Sequence, residues 1–276
     1  MAPTLHRGIG RDVITRVAAD QWSHARHNDL LASLPAAVFD RLDHALEPVE
    51  LFLGHVLWEA GCDAEHVYFP VTDIVSLMQD LASGATAEVA VVGNEGLVGI
   101  VLVLGSATTT TRAFVRAAGT GYRLRADVLQ REFEECPPLR RILLRYAQLR
   151  FTQIAQTAVC RGHHTVEQQV CKILLSTVDR LGSEDLALTQ ELIAELVGVR
   201  RESVTTAAGS LQMAGIIRYH HGRINVLDWP ALAQRACECH AAIEGEALRL
   251  FARPCPGPSQ SAFIPSPRDL AYGVSV

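Results

Sequence analysis

Residues 189–215, TQELIAELVGVRRESVTTAAGSLQMAG, permit few folds, because a small residue, a glycine and a branched apolar residue fall at the spacing of a tight two-helix corner. Thr189 can cap a helix whose first turn carries Glu191, and Gly198 can supply the left-handed residue that ends it. A second helix is predicted from Arg200 or Arg201 to Gly215. Ala194 lets the two helices approach, and Val204 fills the angle between them. Ile193, Val197, Val199, Ala208 and Leu211 complete an inward face. This is the helix-turn-helix pattern.

That assignment leaves Arg201, Glu202, Thr205 and Thr206 on the outer face, near the N-terminus of the second helix. Arginine offers a bidentate fork to guanine O6 and N7, glutamate accepts from cytosine N4, and threonine meets a base or a phosphate. Thr189 and Gln190 at the start of the first helix, and Arg200 as a phosphate contact, complete the helical set of candidate DNA-binding residues. Downstream, IIRYHHGRINVLD reads as two short strands joined at His221 and Gly222. It forms a wing whose Arg218, His221 and Arg223 can rest on phosphates.

The remaining chain is long enough for a second domain, with 276 residues of which 49% are apolar. A net charge of −5 gives no global attraction to polyanions, so nucleic-acid binding has to come from a local patch. Seven scattered cysteines and an N-terminus without an apolar leader segment predict a cytoplasmic protein with reduced thiols. The longest apolar run, LVGIVLVLG, is too short to span a membrane.

Short β-rich runs fill residues 48–126, with SGAT at 83–86 as a hairpin connection, and predict an all-β sandwich or barrel. Pro137 and Pro138 then open a long helix. Its Leu139, Ile142, Tyr146, Leu149, Gln153, Gln156 and Cys160 follow coiled-coil spacing and are assigned to a dimer interface. A second stripe, Leu143, Ala147, Ile154 and Ala158, is left for the β-domain. CRGHH at 160–164 is read as an interruption and hinge, and helical spacing resumes from a Thr165 cap to Gly182. The division predicted is a mobile arm over 1–28, a β-domain over 29–136, the dimerisation helix and hinge over 137–163, a DNA-binding domain over 164–240, and a mobile tail over 241–276.

On TQELIAELVGVRRESV, the wing and this order of elements, the chain resembles the Crp-Fnr family of bacterial transcription regulators over roughly residues 30–240. The resemblance implies an α+β fold: an N-terminal double-stranded β-roll of the cyclic-nucleotide-binding type, similar to a jelly roll, a long dimerisation helix and a C-terminal winged helix-turn-helix. It further implies a homodimer on double-stranded DNA at an inverted-repeat operator. RNA polymerase is a candidate further partner, with no residue assigned to it. Arg201 and Glu202 match the Arg-Glu pair of the cyclic-AMP-responsive members, whereas Thr206 stands where those carry another arginine.

The β-roll departs from that pattern. Nucleotide-binding members use a Gly-Glu pair for the ribose and an Arg-Ser pair for the cyclic phosphate. Here Ile100 follows Gly99, Thr111 takes the arginine position, and Arg112 comes one residue late, which in a strand sends its side chain to the opposite face. Tight cyclic-AMP binding is therefore not expected, no cofactor is predicted, and the effector is left unassigned. Only Cys62 precedes residue 130, which argues against an N-terminal iron-sulfur cluster. CEC at 237–239 is read as small residues ending a helix, and no metal site is predicted. Two other functions remain. A metal-dependent, cupin-like β-barrel enzyme would need His55, Glu65 and His66 to converge, and leaves the winged helix pair unexplained. A protein-interaction module would keep a helix-turn-helix that no longer reads DNA.

Overall fold

The structure is a computed structural model that describes residues 25–106 and 108–251. A 3-10 turn at Ala25–His27 leads into α1 (Asp29–Ala32) and α2 (Ala36–Asp43). Asn28 caps α1 by accepting from Leu31 N, and its buried amide donates to the carbonyls of Pro70 and Gly96. Residues 25–28 are thus part of the folded body, not of an arm. The rest of the predicted arm lies outside the described residues.

The β-domain is built from β1 (Glu47–Leu51), β2 (Val56–Trp58), β3 (His66–Pro70), β4 (Ile74–Asp80), β5 (Thr86–Val92), β6 (Arg112–Ala117) and β7 (Gly119–Arg125). They form two antiparallel sheets, in the orders β1-β7-β3 and β2-β6-β4-β5. β4 and β5 are joined through Gly84 in the left-handed conformation, at the predicted hairpin. Leu51, Trp58, Val75, Val92, Val98, Ala113 and Val115 fill one core of the roll. The alternating pattern of β6 supplies two of them, Ala113 and Val115. Between β5 and β6 lies α3 (Ile100–Val103), one apolar turn with Ile100, Leu102 and Val103 buried.

After α4 (Ala126–Glu135) comes α5, which runs without a break from Pro137 to His163. The predicted interruption falls at its far end: Gly162 lies inside the helix, and the break comes at His164, whose backbone is extended. Tyr146 on α5 is fully buried, and its hydroxyl donates to Leu97 O and accepts from Leu97 N, each at 2.9 Å. Gly96 passes so close under this ring that no side chain fits there. Replacing Tyr146 by Phe removes both bonds and leaves a buried carbonyl and amide unsatisfied. We expect a loss of about 1–3 kcal/mol in urea unfolding; an unchanged midpoint would contradict this role.

α6 (Val166–Leu181) starts on a capping box between Thr165 and Gln168 and ends at left-handed Gly182. Then follow β8 (Asp185–Leu186), α7 (Gln190–Val197), α8 (Arg201–Met213), β9 (Ile217–His220), β10 (Arg223–Val226), α9 (Trp229–Arg235) and α10 (Cys239–Phe251). The three strands pair in the order β8-β10-β9. α10 packs along α5 and is pinned by His240 to Asp179 at 2.7 Å and Gln148 to Glu246 at 3.2 Å. Residues 241–251 are therefore a docked helix, where a tail was predicted. The rest of that tail lies outside the described residues. No helix among the described residues is long and apolar enough to cross a membrane.

The β-domain and the winged helix share a core. Met78 and Phe114 from the roll pack into the cluster formed by Ile173, Leu174, Ile193 and Leu211. Polar groups join the same elements: partly buried Arg161 donates to the carbonyls of Glu88 and Leu196, and buried Arg116 on β6 reaches Thr177 on α6 at 3.2 Å.

Candidate nucleic-acid interface

Thr189 begins α7 by accepting from Leu192 N, and Gly198 ends it at a φ of 78°. Ala194 and Val204 are both buried where the helices meet, with Ile193, Val197, Ala208 and Leu211 around them; Val199 is half-buried. α8 begins at Arg200, whose side chain makes no capping bond and stands exposed. The first turns of α8 consequently project Arg201, Glu202, Thr205 and Thr206 from one exposed face.

Their partners are weak ones that a ligand can displace. Arg201 lies 3.7 Å from Glu191, and both side chains are more than 60% exposed. Thr205 donates to Gln190 Oε1 at 2.7 Å, which brings the start of α7 against the outer face of α8. Thr206 bonds back to the Glu202 carbonyl. An arginine, a carboxylate, an amide and two hydroxyls thus share a surface at the positive end of a helix, where they can meet the edges and phosphates of a polyanion.

The wing hairpin turns through His221 and Gly222, both with positive φ. Arg218 and His221 are exposed on it. Arg223 is exposed but held in a bidentate pair with Asp185 on β8, at 3.1 and 2.8 Å, and this pair keeps the Asp185 carboxyl below its usual range. The charge on Arg223 is therefore half spent in bracing the wing. One neighbour of the surface left no mark in the sequence: Gly84, Ala85 and Thr86 from the β4–β5 hairpin line the same cleft as Arg200, Arg201 and Glu202.

Residues 168–235 match the Crp-like helix-turn-helix domain. Over 76% of this chain and 98% of its own length, the global nitrogen regulator of Synechococcus elongatus is 26% identical. The CRP-like cAMP-activated global transcriptional regulator of Mycobacterium tuberculosis is 24% identical over 71% of this chain and 90% of its own. The chain is a transcription regulator with a Crp-like helix-turn-helix. Solved structures share its fold: FixK2 of Bradyrhizobium japonicum has a TM-score of 0.61 at 17% identity, covering 70% of this regulator and 98% of its own chain. The c-di-GMP responsive regulator CLP of Xanthomonas campestris has a TM-score of 0.59 at 15% identity, covering 70% and 99%.

Within this regulator the expected dimer seam needs correction. Leu139, Tyr146, Leu149, Gln153 and Cys160 are buried inside the chain itself, and Ile142 and Gln156 are half-buried. Gln153 donates to Val91 O on β5, and Gln156 donates to Cys239 Sγ on α10, so this face of α5 already has its partners. The exposed face carries Leu144, Phe151, Ile154 and Val159 instead.

Ile100 is buried in the apolar turn of α3, and the Thr111 carbonyl accepts from the Trp58 indole at 3.2 Å. Arg112 turns outward to Asp80 at 3.3 Å and Glu59 at 4.0 Å. Among the described residues, His55, Glu65 and His66 belong to no convergent group of metal-ligating side chains. Away from the roll core, a cavity of about 280 Å³ opens between β5, α5, α6 and α10, with Glu95, Arg150, Lys172 and Arg180 on its walls.

Proposed function

We propose that this regulator binds an inverted-repeat operator as a homodimer, with Arg201 and Glu202 reading guanine and cytosine in each half-site. The observation that carries the reading is the exposed, loosely paired presentation of Arg201, Glu202, Thr205 and Thr206 on one face of α8, braced from behind by buried Val204. Arg200, Thr189, Gln190, Arg218 and His221 serve as phosphate or flanking contacts, and Arg223 contributes through the wing it braces. Thr206 in place of an arginine makes one position of the half-site differ from that of the cyclic-AMP-responsive members.

The dimer forms along the exposed stripe of α5. Leu144, Phe151 and Ile154 recur there at coiled-coil spacing, with Phe151 67% exposed. In the division that goes with this reading, a β-roll reaches to residue 136, α5 links it to the partner copy, and the DNA-binding unit follows from residue 164.

The regulator is not cyclic-AMP-responsive. The roll core is occupied by Trp58, Val75, Val98 and their neighbours, and no arginine stands at the phosphate position. An anionic cyclic phosphate without its arginine lacks the charge-assisted pair that binds it. The relatives bear names tied to nitrogen regulation, cAMP and c-di-GMP, so the shared fold does not dictate one effector.

Selection of bound sequences from random duplex DNA tests the reading. The unaltered protein should enrich an inverted repeat. Arg201→Ala should relax preference at one base pair per half-site, a discrimination of about 1–3 kcal/mol. Equal weakening on every sequence would remove the base-reading role, and failure to enrich any sequence would remove the function.

A further inference from the structure

Four side chains that the DNA-binding surface does not use meet where α5 ends and α10 begins. Cys160 lies in the last turn of α5 and His164 is its cap residue; Cys239 is the first residue of α10, and Cys237 precedes it by two. Their ligating atoms all lie within 4.8 Å of one another. Cys160 Sγ is 3.6 Å from Cys237 Sγ, and Cys239 Sγ is 3.4 Å from His164 Nδ1. The three cysteines form a small buried cluster of their own, and none of them is in a disulfide.

We propose that Cys160, His164, Cys237 and Cys239 bind one Zn²⁺ ion in a closed tetrahedral site. With metal–sulfur bonds of about 2.3 Å and metal–nitrogen bonds of about 2.0–2.1 Å, a tetrahedron has edges of about 3.8 Å between sulfurs and about 3.6 Å between sulfur and nitrogen. The two measured separations fall within a few tenths of an ångström of those edges. Three thiolates with one imidazole, and no place kept for a water or substrate, are the donor set of a structural rather than a catalytic zinc. A disulfide would need its sulfurs about 2.05 Å apart. An iron-sulfur cluster would hold its ligand atoms apart by its own width.

The outer shell supports the assignment. His164 Nε2 lies 3.2 Å from the Glu238 carboxylate, which fixes the proton on that nitrogen and leaves Nδ1 free for the metal. Gln156 donates to Cys239 Sγ at 3.1 Å, a bond that favours the thiolate. Binding exchanges up to three thiol protons for one Zn²⁺, so the filled site carries one negative charge. The ion would join the end of the long helix to the chain just beyond the wing.

Metal analysis of the full chain, purified without chelators, should find about one zinc per chain. Co²⁺ added to the metal-free protein should produce the intense visible bands of tetrahedral thiolate coordination, and Cys237→Ser and Cys239→Ser should each alter them. Glu238→Gln leaves the four ligands in place and should lower zinc affinity by about 10–100-fold, with an unchanged circular dichroism spectrum. Should the cysteine variants fail to fold, the unaltered protein and Glu238→Gln still decide the matter. Absence of zinc together with absence of cobalt bands overturns the proposal. So does a Cys160–Cys237 disulfide in the protein as purified, or iron with acid-labile sulfide in place of zinc.

Discussion

Arg116→Ala should lower the unfolding free energy by about 3–5 kcal/mol, the range for breaking a buried ion pair by removing one partner. Arg116 is 1% exposed, and its guanidinium lies 3.0 Å from Glu88 Oε2 and 3.2 Å from Thr177 Oγ1. Burial lowers its affinity for a proton, and its Nε has no partner, so the site is costly even when intact. Without the arginine, the largely buried Glu88 keeps only the Ser76 hydroxyl near that oxygen. The cost follows from an abandoned charge, so Arg116→Met combined with Glu88→Leu should recover most of it. Urea unfolding of the single and double variants checks both statements; a single variant within 1 kcal/mol of the parent, a threshold at the scale of one net hydrogen bond, about 1 kcal/mol, contradicts them.

Asp73→Asn should have the opposite effect, growing as pH rises from about 4 to about 7 and levelling off above that. Asp73 is 2% exposed; one carboxyl oxygen accepts from Val71 N at 3.3 Å, and the other has no partner. Burial pushes its carboxyl up to about 7. An unfolded aspartate releases its proton near pH 3.9, so between about pH 4 and 7 the folded chain holds a proton that the unfolded chain has lost. Stability from this group is complete below about pH 4 and falls as pH rises through about 7. Asparagine keeps an acceptor for Val71 and never ionises. At pH 8 the variant should be more stable than the parent by up to about 4 kcal/mol, and near pH 4 the two should be about equal. A difference that stays constant across this range would show that Asp73 does not carry the buried charge.

The parts legible in the sequence are those whose constraints are local. The helix-turn-helix corner depends on Ala194, Gly198 and Val204, all within eleven residues, and each sits where its size and backbone freedom are needed. The strands between 47 and 125 were legible as short β-rich runs. Periodicity found the inward stripe of the long helix but not its exposed one, since of Leu144, Phe151, Ile154 and Val159 only Ile154 stood in a predicted stripe. It could not tell which residues the chain would cover itself, because that depends on β5 and α10, far away in sequence. Gln153 and Gln156 fitted a dimer interface by spacing but satisfy the Val91 carbonyl and the Cys239 sulfur of their own chain. Arg150, buried one residue after Leu149 and bonded to the same carbonyl, was the overlooked hint that this face turns inward. The cysteines stayed hidden for the same reason. Cys160 with His164 and Cys237 with Cys239 each look incomplete, and 77 residues of sequence separate Cys160 from Cys237.

Cys160 and His164 stand where the polypeptide enters the winged helix-turn-helix, and Cys237 and Cys239 stand where it departs. Entry and exit therefore share one corner, and the reading module is a ring of chain with both feet on the same spot. A module mounted this way does not dangle from a single thread. Both its ends are tied at one point, and its inner side is held to the roll through Met78 and Phe114.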